Sequence, residues 1–300
     1  MTRNKLIAIT GTTASGKSGL GIELAKLFDG VVISADSRQI YKGLDLGTGK
    51  VTQEEMQGIP HELLDVRAPG EQYSLAEFLP EAYAAIDKTI QNGKLPILVG
   101  GTGLYTRAVI EGYSLAEAKP DEELRAELAQ KSRDELVEEI KKLYPDAETD
   151  GKDARRLVRL YERLRTGEQA ERKSEPRYDV LQIGLTCDRD ALYARIGERL
   201  DARIRDGMVE EIKGLMDAGV SYEFLDKLGL EYRFTAQYLT GQFADFAEYR
   251  EKLFQAIRHF AKRQMTWFRK EKQITWLDCL DPDCLEKARA MVAEFLGEQA

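Results

Sequence analysis

The sequence predicts an α/β fold: a parallel sheet flanked by helices, interrupted by an all-helical insertion domain. Three observations predict it. Short apolar strands alternate with helical patterns through the first third of the chain, and each strand closes on a polar or glycine-rich turn. The period then becomes purely helical from Ser114 to Glu175 before strands return. Three hundred residues with 43% hydrophobic and 32% charged content can bury a sizeable core in one large domain or two modest ones.

Lys5 to Thr10 reads as the first strand. Gly11, Thr12, Thr13, Ala14, Ser15, Gly16, Lys17 and Ser18 follow it, fit G-x-x-x-x-G-K-[ST], and open a helical pattern, GLGIELAKLF. This strand-to-helix context is the one the phosphate-loop motif requires. The glycines let the backbone wrap until several N–H groups point inward, and the helix N-terminus adds partial positive charge. Lys17 adds a full charge, and the Ser18 hydroxyl can ligate Mg2+. A P-loop NTPase-like core holding a di- or triphosphate is therefore expected. A glycine-rich turn without a ligand would leave Lys17 an unexplained charge at a helix start.

Val31 to Ser34 is the second strand, and ISADSRQIY continues from it. Asp36 there can serve as a general base or sit behind a magnesium ion; the plainer reading is a helix N-cap. Leu95 to Val99 is the third strand, ending in GGTGLY with the Thr102 hydroxyl. All three loops should emerge at the carboxyl edge of one sheet, where open α/β sheets bind ligands. The helical patterns DEELRAELAQ, RDELVEEIKKLY and DARRLVRLYERLRTG make the insertion, residues 114–177. Tyr178 to Thr186 resumes the sheet, Ala191 to Lys270 returns to long amphipathic helices, and Ile274 to Leu277 is a last strand. Residues 1–113 and 178–300 thus form the catalytic core.

Composition excludes some classes. The N-terminus lacks the apolar region and cleavage site of a signal peptide, and no stretch approaches the roughly 18 apolar residues of a membrane span. A cytoplasmic protein with no membrane partner is expected. Cys187, Cys279 and Cys284 read as reduced thiols, and His61 and His259 are too isolated for a zinc centre. The net charge of −8 argues against a nucleic-acid partner, but its distribution does not. Nine Lys or Arg face five acidic residues between Lys152 and Arg177, and eight face two between Arg250 and Lys272. Taken on charge alone, these zones read as solvated helix faces.

The phosphate loop, DSRQIYKGLDLGT, GGTGLY and KRQMTWFR together resemble the tRNA dimethylallyltransferase (tRNA isopentenyltransferase) family, over nearly the whole chain. The resemblance implies transfer of a dimethylallyl group from dimethylallyl diphosphate to the exocyclic amine of the adenosine 3′ of the anticodon in tRNA. By motif match it implies Asp36 as base, with Thr13 and Arg199 contacting diphosphate. It places Ser37, Gln39, Thr102, Arg155, Arg156, Arg159, Lys262, Arg263, Gln264 and Arg269 along the path of the tRNA anticodon stem-loop. Trp267 and Phe268, at helical spacing, read as core rather than base-stacking groups. Two departures stand out: Thr12 where the family has proline, and GLEYRF from Gly229 to Phe234 where it commonly has Gly-Tyr-Lys/Arg-Glu/Gln. The family's eukaryotic C-terminal zinc finger is missing, which suits a bacterial-type enzyme, taken as a monomer. A nucleoside or small-molecule kinase, a prenyltransferase of free adenine nucleotides and a non-catalytic RNA-binding protein are the rivals.

Overall fold

A computed structural model describes residues 3–114, 121–167, 172–173 and 175–297. The first strand, β1 (Lys5–Gly11), is buried from Leu6 onward, because it pairs on both sides and neither edge meets water. That arrangement demands the near-continuous apolar run its sequence shows. After it come α1 (Lys17–Leu27), β2 (Gly30–Ser34), a single turn α2 (Gln53–Met56), β3 (His61–Glu62), α3 (Leu75–Gln91), β4 (Leu95–Val99) and α4 (Gly103–Ile110). The insertion holds β5 (Tyr113–Ser114), α5 (Glu122–Leu128), α6 (Arg133–Leu143), α7 (Ala154–Thr166) and β6 (Arg172–Lys173). Beyond it lie β7 (Asp179–Thr186), α8 (Arg189–Arg205), α9 (Met208–Asp217), α10 (Tyr222–Leu228), α11 (Leu230–Leu239), α12 (Phe246–Phe268), β8 (Thr275–Asp278) and α13 (Cys284–Leu296).

The six-stranded sheet runs β3-β2-β4-β1-β7-β8, every pairing parallel. Helices α1 and α13 pack together on one face over Ile7, Ile9, Val32, Ile97 and Val99. Helices α3, α4 and α12 cover the other. A second core, under α8 to α12, gathers Ile196, Leu200, Tyr232, Tyr249, Leu253 and Ile257 around Ile40 and Leu44. It anchors the long loop after β2. In this part of the chain β3 and α13 escape a reading of the sequence: β3 is too short to show a period, and α13 lies past the last expected strand.

The chain divides into residues 1–111 with 176–300, and residues 112–175. In the smaller unit α5, α6 and α7 enclose Leu124, Leu128, Leu136, Ile140, Leu157 and Tyr161. Each helix begins on a side-chain cap, Asp121, Ser132 and Asp153 in turn, a device worth about 1 kcal/mol apiece. Glu162, only 3% exposed, receives both nitrogens of the Arg125 fork at 2.6 and 2.9 Å. Arg155 and Arg156 stay exposed on α7. β5 and β6 pair antiparallel, two residues each, where only helices are expected from the sequence.

Candidate active site

Gly11 has φ 146, and a Cβ there would stand 2.5 Å from the Leu185 carbonyl oxygen of β7. Only glycine lets the chain leave β1 in register with β7 and turn. Ala14 takes the left-handed conformation at φ 61 without being glycine, and Gly16, at φ 91, starts α1. Such an alanine persists only where its surroundings hold it. They do so from both sides: Arg195 Nε donates to the Ala14 carbonyl at 2.9 Å, and the Thr13 N–H donates to Gln264 Oε1 at 2.8 Å. Thr12 and Ser15 are buried, the Ser15 hydroxyl donating to the Thr12 carbonyl at 2.9 Å.

Lys17 folds back, its Nζ donating to the Thr12 carbonyl at 2.6 Å. Burial, with Arg199 nearby, lowers its pKa from 10.5 to about 8, against the opposing pull of Asp36. Arg199, likewise desolvated and beside Arg203, drops to about 10, with Glu231, Glu55 and Asp36 opposing. The nearby carboxylates do not offset the desolvation of these cations, and a bound polyanion would relieve it.

The loop opens onto a cavity of about 580 Å³ at the carboxyl edge of β1, β2 and β4. Six cations line it, Lys17, Arg38, Arg195, Arg199, Arg203 and Arg263, against three carboxylates, Asp36, Glu55 and Glu231. Thus a protein of net charge −8 carries a cationic pocket. Val32, Leu64, Val99, Leu104, Phe260 and Phe268 supply apolar wall.

No helix begins at Asp36, so the N-cap reading fails; its Oδ1 instead accepts the Arg38 N–H at 2.9 Å in a tight turn. The Thr102 hydroxyl accepts the Ser37 N–H at 3.4 Å, tying the second loop to the third. Gly100 makes their close approach possible, since a Cβ there would sit 2.3 Å from the Ala35 carbonyl oxygen. Gln39 Nε2 donates to the Gly49 carbonyl at 3.1 Å, and Arg199 Nη2 reaches the same oxygen at 3.4 Å.

Of the residues singled out from sequence, Thr13, Ala14, Gly16, Lys17, Ser18, Asp36, Ser37, Gln39, Thr102, Arg199, Arg263 and Gln264 line the cavity. Gly11, Thr12 and Ser15 shape the loop from beneath. Lys262 and Arg269 lie exposed on and just past the end of α12, outside the lining. Arg155, Arg156 and Arg159 belong to the other unit. Phe268 is core as expected, 2% exposed, and its edge reaches the cavity wall; Trp267 also lines the cavity and packs on Gly103, where a Cβ would meet its ring at 2.3 Å.

Sequence reasoning misses Arg195 and Arg203, which flank Arg199 at intervals of four and form one stripe of α8. That spacing is the only signal of them. It also misses Glu231, 8% exposed, which stands 3.6 Å from both Arg38 and Arg203. Next to it Tyr232 donates to Glu211 at 2.9 Å, and the Glu211 carboxylate accepts the N–H groups of Asp45, Leu46 and Gly47. The atypical GLEYRF segment therefore braces the cavity wall from within.

Oxygen donors at Ser18 and Asp36, both on the lining, are the hard ligands magnesium prefers beside substrate phosphates.

An all-parallel α/β sheet with a glycine-lysine loop at its central strand defines a P-loop-type protein. Its lineage is narrower: the chain belongs to the IPP transferase family, whose model matches residues 39–271. Relatives extend the likeness over the phosphate loop. The tRNA dimethylallyltransferase of Thermomicrobium roseum is 39% identical over 99% of this chain and 93% of its own, and that of Symbiobacterium thermophilum 40% over 98% and 95%. Among solved structures, the tRNA isopentenylpyrophosphate transferase of Bacillus halodurans is 35% identical with a TM-score of 0.77, covering 98% of this chain and 97% of its own. A eukaryotic dimethylallyltransferase acting on tRNA has a TM-score of 0.82 at 26% identity, covering 99% and 80%.

Proposed function

We propose that this chain transfers a dimethylallyl group from dimethylallyl diphosphate to the exocyclic amine of the adenosine 3′ of the anticodon in tRNA, releasing diphosphate. The observation that carries the reading is the meeting, in one cationic cavity, of the phosphate loop with Asp36 and apolar wall. As the allylic carbon–oxygen bond breaks, charge grows on the leaving diphosphate, and donors already aimed at it lower the barrier most. Lys17, Thr13, Arg199 and the loop amides are such donors. The adenosine amine attacks the freed carbon and Asp36 takes its proton, a role for which a carboxylate in hydrogen-bonding reach suffices. Mg2+ held by Ser18 would neutralise diphosphate charge when bound.

A base stacked in an anticodon loop reaches such a cavity only by flipping out, at a cost on the order of a few kcal/mol. Phosphate contacts by Arg263, Lys262 and Arg269 at one end of α12, and by Arg155, Arg156 and Arg159 on α7, offset it. Ser37, Gln39 and Thr102 on the cavity wall face the incoming nucleotide. Among the described residues no helix is long and apolar enough to cross a membrane; a monomer working in the cytoplasm, where tRNA is, goes with this reading. The test is release of inorganic diphosphate from dimethylallyl diphosphate with and without tRNA. Release only with tRNA is expected; ATP turnover in its place would mean a kinase.

A further inference from the structure

Gln264 is 8% exposed on the inward side of α12, and both ends of its amide are engaged. Its Oε1 accepts the Thr13 N–H at 2.8 Å, and its Nε2 donates to the Gly101 carbonyl at 2.9 Å. One side chain from α12 thus bridges the loop after β1 and the loop after β4. The sequence motif that contains it points to the tRNA path, yet at this position both polar ends are spent within the protein. Its neighbour Arg263 faces the cavity mouth instead.

The bridge falls beside Ala14, whose left-handed backbone is strained for a residue with a Cβ and survives only under restraint. Arg195 restrains it through its carbonyl, and Gln264 through the N–H of Thr13, the residue before it. Removing either side lets the loop relax out of the shape that gathers its N–H groups. Lys17 is held in the same assembly: a Cβ on Gly101 would stand 2.9 Å from Gln264 Nε2 and 3.6 Å from Lys17 Nζ.

We infer that Gln264 is a positioning residue for the diphosphate, holding the phosphate loop in its anion-binding shape from α12, and not a tRNA contact. The inference rests on the loop being the diphosphate site. It also makes α12, which presents Arg263 at the cavity mouth, the mechanical support of the donor site.

The experiment compares the full-length protein with Gln264→Met, which keeps volume and loses both hydrogen bonds. Inorganic diphosphate is titrated by calorimetry, tRNA affinity is measured separately, and KM is determined for each substrate. Loss of the buried hydrogen bond to Thr13 and the release of a strained turn should weaken diphosphate binding about 5- to 10-fold. KM for dimethylallyl diphosphate should rise with it, and tRNA affinity should stay within about twofold. Gly101→Ala, whose methyl displaces Gln264 Nε2 without altering Gln264, should reproduce the split and covers the case in which Gln264→Met does not fold. Unchanged diphosphate binding, or weaker tRNA binding with diphosphate unaffected, overturns the inference. A wild-type protein that fails to bind diphosphate overturns the loop assignment itself, and the inference with it.

Discussion

Asp36 and Lys17 face one cavity with opposite charges, and each has a measurable signature. Asp36→Asn keeps the turn-making oxygen that accepts the Arg38 N–H but loses basicity, so kcat should fall about 100-fold or more while tRNA affinity holds. An equal loss of tRNA binding would contradict the role. For Lys17, burial and Arg199 bring the pKa to about 8, so above that pH the free protein carries a neutral amine. Bound diphosphate favours the ammonium. Binding should therefore take up a proton above pH 8, and affinity should fall as pH rises through that value. Calorimetry in buffers of different ionisation enthalpy checks this, with Lys17→Arg, charged throughout, as the subtraction. Equal uptake by both proteins would show that Lys17 does not titrate there. The unfolded chain holds this proton up to 10.5, so from this group alone the free fold gains stability as pH climbs from 8 towards 10.5.

At the scale of elements, three helices divide the work: α8 lines the cavity with arginines at every fourth position, α12 supports the loop and shows cations at its end, and α7 carries exposed arginines. Arg156→Glu and Arg263→Glu should each weaken tRNA binding and lower the slope of log affinity against log salt by about one for every phosphate no longer neutralised. Filter binding across a salt series measures it, and unchanged slopes would return both zones to plain solvated faces. The contrast between these helices also shows what sequence can and cannot reveal. The phosphate loop is legible because glycine and lysine at fixed spacing have few other reasons to occur after a strand. The central strands β1, β2 and β4 are legible because burial on both faces forces apolar runs. Arg195 and Arg203 do not stand out, since arginines at intervals of four suit any solvated helix. Glu231 and the inward turn of Gln264 are hidden for the opposite reason: polar residues go inside only where a distant partner waits, and those partners, Arg38, Arg203, Thr13 and Gly101, come from four other elements or loops.

As a whole, the molecule is acidic with a cationic cavity, an arrangement that discourages general attachment to nucleic acid and favours anions at the cavity and the basic helix faces. That separation distinguishes a prenyl transfer to tRNA from its rivals only through the acceptor, because a kinase shares the loop and a nucleotide prenyltransferase shares both loop and base. The most direct test follows radiolabel from dimethylallyl diphosphate, with magnesium, into unmodified tRNA, into the same tRNA lacking the adenosine 3′ of the anticodon, and into free AMP. Label in the intact tRNA alone is the predicted result; label in AMP, or in the tRNA without that adenosine, would contradict the account.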